Sequence, residues 1–158
     1  MKNRIFVTLA AAILTLTGPT LAAASEPEVS ADNPWIREAP PGADRTAAYL
    51  TLKNEGEEDA HLAHVTSPDF GRVEIHETVT EDGSTRMEEL GELRIPAGES
   101  VALEPGGKHL MLMEPRQRAE AGQMLTLVLE FEEGNMLDLM MPVRRETGRG
   151  DAHDGHDD

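Results

Sequence analysis

Histidine and methionine carry the chemistry this sequence offers. His76 is followed by ten residues and Met87, then by twenty-one residues and the run His109-Leu110-Met111. Thioether sulfur is soft, uncharged and needs no deprotonation, so it favours monovalent copper over hard cations. Imidazole is a stronger donor that keeps such a site open to oxidised copper. Zn(II) more usually takes thiolate, imidazole or carboxylate, and a blue-copper electron-transfer centre needs a thiolate. There is no Cys in the chain, which also removes structural disulfides, a thiolate nucleophile and a CxxC redox pair. Two imidazoles with two thioethers suit Cu(I). Taken singly, each of the four is equally at home in packing or on a plain surface.

Strand parity says whether these donors can meet. Along 109–114, Leu110 and Leu112 take one side and His109, Met111 and Met113 the other, so the HxM pair points away from the Leu core. Along 72–79, Val73 and Ile75 read as buried, leaving Glu74, His76 and Thr78 on the opposite, presented face. A two-residue hairpin loop at Glu81-Asp82 or Asp82-Gly83 puts Met87 opposite His76 or one diagonal step away, on the same face in both cases. A three-residue loop would separate them.

The elements that must position these residues are strands. Ala48, Leu50 and Leu52 alternate with Tyr49, Thr51 and Lys53 before Asn54-Glu55-Gly56, and further strands are expected at 60–66, 72–79, 85–90, 100–104, 109–114, 123–132 and 136–143. Turn signals at Ser67-Pro68-Asp69, Asp82-Gly83, Pro96-Ala97-Gly98, Pro105-Gly106-Gly107 and Glu133-Gly134-Asn135 separate them. This spacing predicts an all-β sandwich or barrel. Leu125, Leu127, Leu129, Phe131, Leu137, Leu139, Met141 and Val143 should be core. No stretch keeps a helical period, and no internal repeat is visible.

The first residues read as an address. Lys2 and Arg4 precede an apolar run from Ile5 to Leu16, with small residues at Ala22-Ala23-Ala24. This is a signal peptide over residues 1–24, too short to span a bilayer at ~20 residues, so no stable membrane insertion is expected after cleavage. Export to a periplasm follows. The domain should run over 25–145, followed by a mobile acidic tail over 146–158. The formal charge of −16 argues against nucleic acid, whose phosphates demand Lys and Arg.

The spacing His76-x10-Met87-x21-His109-x-Met111 resembles the signature of the periplasmic PCu(A)C copper chaperone family. Trp35-Ile36-Arg37, Pro40-Pro41-Gly42 and the run from Pro105 to Met113 support the likeness, which covers roughly residues 33 to 143. The resemblance implies a cupredoxin-like β-sandwich holding one Cu(I) at an exposed His76/Met87/His109/Met111 site. It also implies transfer by ligand exchange to a copper-accepting protein, a cytochrome c oxidase subunit or another assembly chaperone. Some members carry Met directly after the first His; here Glu77 stands there, turned away from His76 by parity. Met113 lies on the ligand face, as a substitute donor or as packing at its edge. Met124, Met136, Met140 and Met141 read as structural.

Other functions stay open beside delivery. Copper buffering or tolerance in the same compartment would use the same residues, and a metal-free β-sandwich binding module would leave them as surface. No nucleophile motif or spaced carboxylate pair suggests an enzyme. His61 and His64 have opposite parity on their strand and read as solvated. In the tail, His153 and His156 beside Asp151, Asp154, Asp157 and Asp158 could recruit Cu(II) or Zn(II), or serve only as a solubilising end.

Overall fold

The chain reverses at Asp82-Gly83 in a two-residue turn, with φ of +50° and +78° at those positions and Glu81 paired to Ser84. Positive φ at both central residues is the type I′ geometry that Asp-Gly supplies. This turn joins two of the ten strands in the computed structural model, which describes residues 28–146. They are β1 (Val29–Arg37), β2 (Arg45–Asn54), β3 (Ala60–Thr66), β4 (Phe70–Glu81), β5 (Ser84–Leu90), β6 (Leu93–Ile95), β7 (Ser100–Leu103), β8 (Lys108–Pro115), β9 (Met124–Phe131) and β10 (Met136–Arg144). The described residues contain no helix.

The strands hydrogen-bond in the order β5-β4-β8-β2-β1-β10-β9-β3-β6, with β7 paired to the second half of β2. One half of this path, β5-β4-β8-β2-β1, meets the other, β10-β9-β3-β6, through a short parallel pairing of Ile36 and Arg37 with Val143 and Arg144. Both halves send alternate residues into one core. Ile36, Leu52, Leu110 and Leu112 come from the first half, and Leu62, Ile95, Leu127, Leu129 and Met141 from the second, all fully buried. Burying each such side chain is worth roughly 1.5–3 kcal/mol. Leu110 and Leu112 therefore anchor β8 from behind and fix which face it offers outward.

The strands expected from alternation are all present within a few residues of their bounds, and two more appear. β1 escapes the pattern because Asn33 adopts φ +49° and its pairing with β2 slips between Asp32 and Trp35. Such a bulge breaks the period of two. β6 has only three residues, too few for alternation to register. Six of the eight expected core residues of the β9–β10 hairpin are buried; Leu137 and Leu139 are only partly so, packed at the edge of the core. Met141 is core, but Met124, Met136 and Met140 are 50%, 64% and 65% exposed on the hairpin's outer side. These three are therefore surface residues and not part of the core. The expected signal peptide and the tail histidines His153 and His156 lie outside the described residues.

Candidate metal centre

β4 is the hub of the site because it pairs with β5 on one side and β8 on the other. His76 stands directly across from His109 of β8, and Glu74 across from Met111. On the other side Thr78 pairs with Met87 and His76 with Glu89, so Met87 is one diagonal step from His76. Of the two hairpin loops weighed from the sequence, Asp82-Gly83 is the one formed. A diagonal neighbour lies within reach of a long side chain. The four residues expected from the sequence thus converge on one face of three adjacent strands.

The imidazoles of His76 and His109 lie 5.8 Å apart between ring centres, tilted by 54°. Each has one nitrogen committed. Nδ1 of His109 is 3.0 Å from the Gly107 carbonyl oxygen, which can only accept, so Nδ1 carries the proton and Nε2 keeps its lone pair. Nε2 of His76 is 2.8 Å from a carboxylate oxygen of Glu74 and donates to it. That leaves Nδ1 of His76 as the lone-pair nitrogen, and this atom is buried with no hydrogen-bond partner. A buried, unpaired acceptor is costly, and a metal ion would satisfy it. An imidazole held through its other nitrogen by a carboxylate or carbonyl is the arrangement that orients metal-binding histidines.

Burial differs from the expectation of an exposed site. His109 and Met111 do point away from the Leu core, but they are only 4% and 8% exposed. Parity shows which face a residue takes and cannot show what covers it. Here a hollow of about 300 Å³ is walled by Tyr49, Arg45, Thr46 and Pro40 as well as by His109 and Met111, with Met87 and Thr78 at its side. His76, across from His109 on β4, is half-buried with its side chain 16% exposed and does not line that hollow. Met87 is the open donor, 60% exposed.

Met113 is turned to another task. It pairs with Arg72 and Arg45, and its sulfur receives an Arg72 guanidinium N–H at 3.5 Å, so a cation already sits where a metal would have to come. Glu77 ion-pairs with Lys108 at 2.8 Å, away from His76 as parity required. Glu74 is the residue the sequence reading passed over. One carboxylate oxygen holds His76, and the other lies 3.3 Å from Arg72, so the carboxylate is clamped from both ends. The signal was present in the sequence, since Glu74 and His76 share a face at i, i+2.

If Glu74 fixes the ring of His76, Glu74→Gln should weaken Cu(I) binding by about 10-fold, the low end of the effect of outer-shell partners. An amide can turn its NH₂ toward the ring and favour the wrong tautomer. Glu74→Ala should weaken it at least as much. A chelator competition giving unchanged affinity in both variants would rule out this role.

His61 and His64 are not equivalent solvated histidines. His64 is exposed, but Nδ1 of His61 is 2.8 Å from Glu92. The shift in register between Leu62 and His64 where β3 meets β9 breaks the simple alternation on which that reading rested.

An all-β sandwich with two histidines and two methionines gathered on three strands defines a protein of the cupredoxin-like PCu(A)C class. Solved structures bear out the class. The copper-bound PCuAC domain from PmoF2 superposes with a TM-score of 0.64 at 21% identity, covering 77% of this chain and 99% of that domain. The solution structure of CuI-DR1885 from Deinococcus radiodurans gives 0.61 at 25% identity, covering 81% and 85%. The chain belongs to the LpqE-like family, described as "Putative lipoprotein LpqE-like", whose model matches residues 29–143. Among curated proteins it is 36% identical over 157 residues to "Putative lipoprotein Lxx21020" of Leifsonia xyli subsp. xyli, spanning 94% of this chain and 93% of that one.

Proposed function

We propose that this protein is an extracytoplasmic copper chaperone that holds Cu(I) between His76, Met87, His109 and Met111 and passes it on by ligand exchange. The observation that carries this is the His76–His109 pair. Each ring has one nitrogen tied down and the other left bare, and two thioethers stand beside them on the same face. Two soft, uncharged sulfurs with two neutral nitrogens suit Cu(I) and not a hard cation. The burial of His109 and Met111 protects the ion from water, while exposed Met87 offers a donor that an acceptor's ligand can replace. Transfer then runs down the affinity gradient between the two proteins.

The acceptor we propose is a copper centre of cytochrome c oxidase or a chaperone that assembles it, and the compartment is a periplasm reached through the cleaved signal peptide at residues 1–24. Imidazole must be unprotonated to bind copper, so acid should favour release. The test is an anaerobic Cu(I) titration against a competing chelator, followed by mixing the loaded protein with an apo oxidase-subunit domain. One tight equivalent that moves to the acceptor is expected. Tight binding without transfer to any such domain would replace delivery with copper buffering. The absence of a tight equivalent would overturn the copper reading itself.

A further inference from the structure

A second group of metal-binding side chains lies in the other half of the sandwich. His61 sits on β3, Glu92 just before β6 and Glu132 just after β9. One ligand atom from each lies within 4.8 Å of the other two. Three separate chain segments bring them together, and the backbone fixes two of these. The Glu132 N–H donates to the His61 carbonyl at 2.9 Å, and the His61 N–H reaches the Glu133 carboxylate at 3.4 Å. The register slip between Leu62 and His64 places His61 beside the end of β9.

Charge here is unbalanced. The carboxylates of Glu92, Glu132 and Glu133 all act on His61, whose pKa is raised, first by the hydrogen bond to Glu92, against the opposing effect of burial. Arg94, opposite His61 on β6, is occupied by Asp59 at 2.6 Å. Among the described residues, no Lys or Arg ion-pairs with Glu92, Glu132 or Glu133. A divalent cation would neutralise them better.

We propose that His61, Glu92 and Glu132 form a second metal site, for a borderline divalent cation of the Zn(II) type, separate from the His/Met centre. One nitrogen and two carboxylate oxygens are a Zn(II) donor set, and without sulfur they offer Cu(I) nothing. At Zn–ligand distances near 2.1 Å, tetrahedral donors stand about 3.4 Å apart. The Glu side chains need move only slightly to close from 4.8 Å, and Glu92 and Glu132 are exposed and free to do so. The bound ion would tie the end of β9 to β3 and to the entry of β6. The proposal does not depend on the copper reading.

The test is Zn(II) titration of the full chain carrying His153→Ala and His156→Ala, which removes the tail histidines as a source of binding. Competition with a chromophoric chelator and thermal melts with and without Zn(II) are read together. One equivalent is expected to weaken by about 10-fold or more in His61→Gln, and also in the shape-conserving Glu132→Gln. Zn(II) should raise the Tm of the parent but not of these variants. Binding to this equivalent should also weaken from pH 7.5 to pH 5.5, because an imidazole must give up its proton to bind a metal. Parallel Cu(I) titration should be unchanged in His61→Gln, separating this site from the other. Zn(II) stoichiometry and affinity identical in parent, His61→Gln and Glu132→Gln would overturn the proposal, as would a parent that binds no Zn(II).

Discussion

His109→Ala should lower Cu(I) affinity by more than about 100-fold, beyond the 10–100-fold that loss of an outer-shell partner costs. His109 is the better fixed of the two rings. It is almost fully covered, its tautomer is set by a backbone carbonyl that no substitution nearby can alter, and Leu110 and Leu112 clamp its strand from behind. Removing the imidazole deletes a donor that no neighbour can replace, because the adjacent sulfur of Met113 is engaged with Arg72. Met87→Ala should cost less. Met87 is exposed and reaches the site by a diagonal, so more of its binding energy is lost in ordering a free side chain. Anaerobic competition titrations of both variants check the order. An affinity for His109→Ala within about threefold of the parent would remove the central ligand from the scheme, and a larger loss in Met87→Ala would reverse the division between buried anchor and exchangeable donor.

The part of this centre that was legible in the sequence is the part governed by local rules. Asp82-Gly83 sets a two-residue turn, the turn sets the β4–β5 register, and the register puts Met87 on the face of His76. The Leu110/Leu112 alternation does the same for His109 and Met111. What failed needed information from the other side of the fold. Burial of His109 and Met111 depends on Tyr49, Pro40 and Arg45, which approach through β2 and the loop before it. Met124, Met136 and Met140 read as structural because they lie outside the His/Met spacing, yet among the described residues no element covers them. His61 was read as solvated because its partners Glu92 and Glu132 are 31 and 71 positions away along the chain.

Asn54 shows how a residue marked as a turn can be a core residue, and it carries the largest stability effect expected from a single polar side chain here. Asn54-Glu55-Gly56 follows β2, and Asn is a common turn residue. Yet the Asn54 side chain is completely buried. Its NH₂ donates to the Glu58 carbonyl at 2.7 Å and to the Ile95 carbonyl at 3.0 Å, and its Oδ1 accepts from the Gly56 N–H at 3.0 Å. One side chain thus closes the 55–59 loop and ties it to the end of β6. Asn54→Ala strands a donor and two acceptors, each costing about 1–3 kcal/mol if water cannot reach it. Gly56 lies toward the surface and can recover a water, whereas Ile95 is wholly buried. The expected loss is about 3 kcal/mol, read as a lower urea midpoint with an unchanged slope. Asn54→Asp keeps the size and the bond from Gly56 but turns a carboxylate oxygen toward two carbonyl oxygens, so it should destabilise at least as much. A loss under about 1 kcal/mol in Asn54→Ala would mean that the loop rearranges or that water enters. Cu(I) affinity of the folded fraction should be unchanged, because Asn54 ends the stretch of β2 that follows its β7 pairing while Ala47 at the other end faces Met111. A parallel fall in affinity would mean instead that the loop and the metal centre share one cooperative unit, with the sandwich transmitting strain along β2.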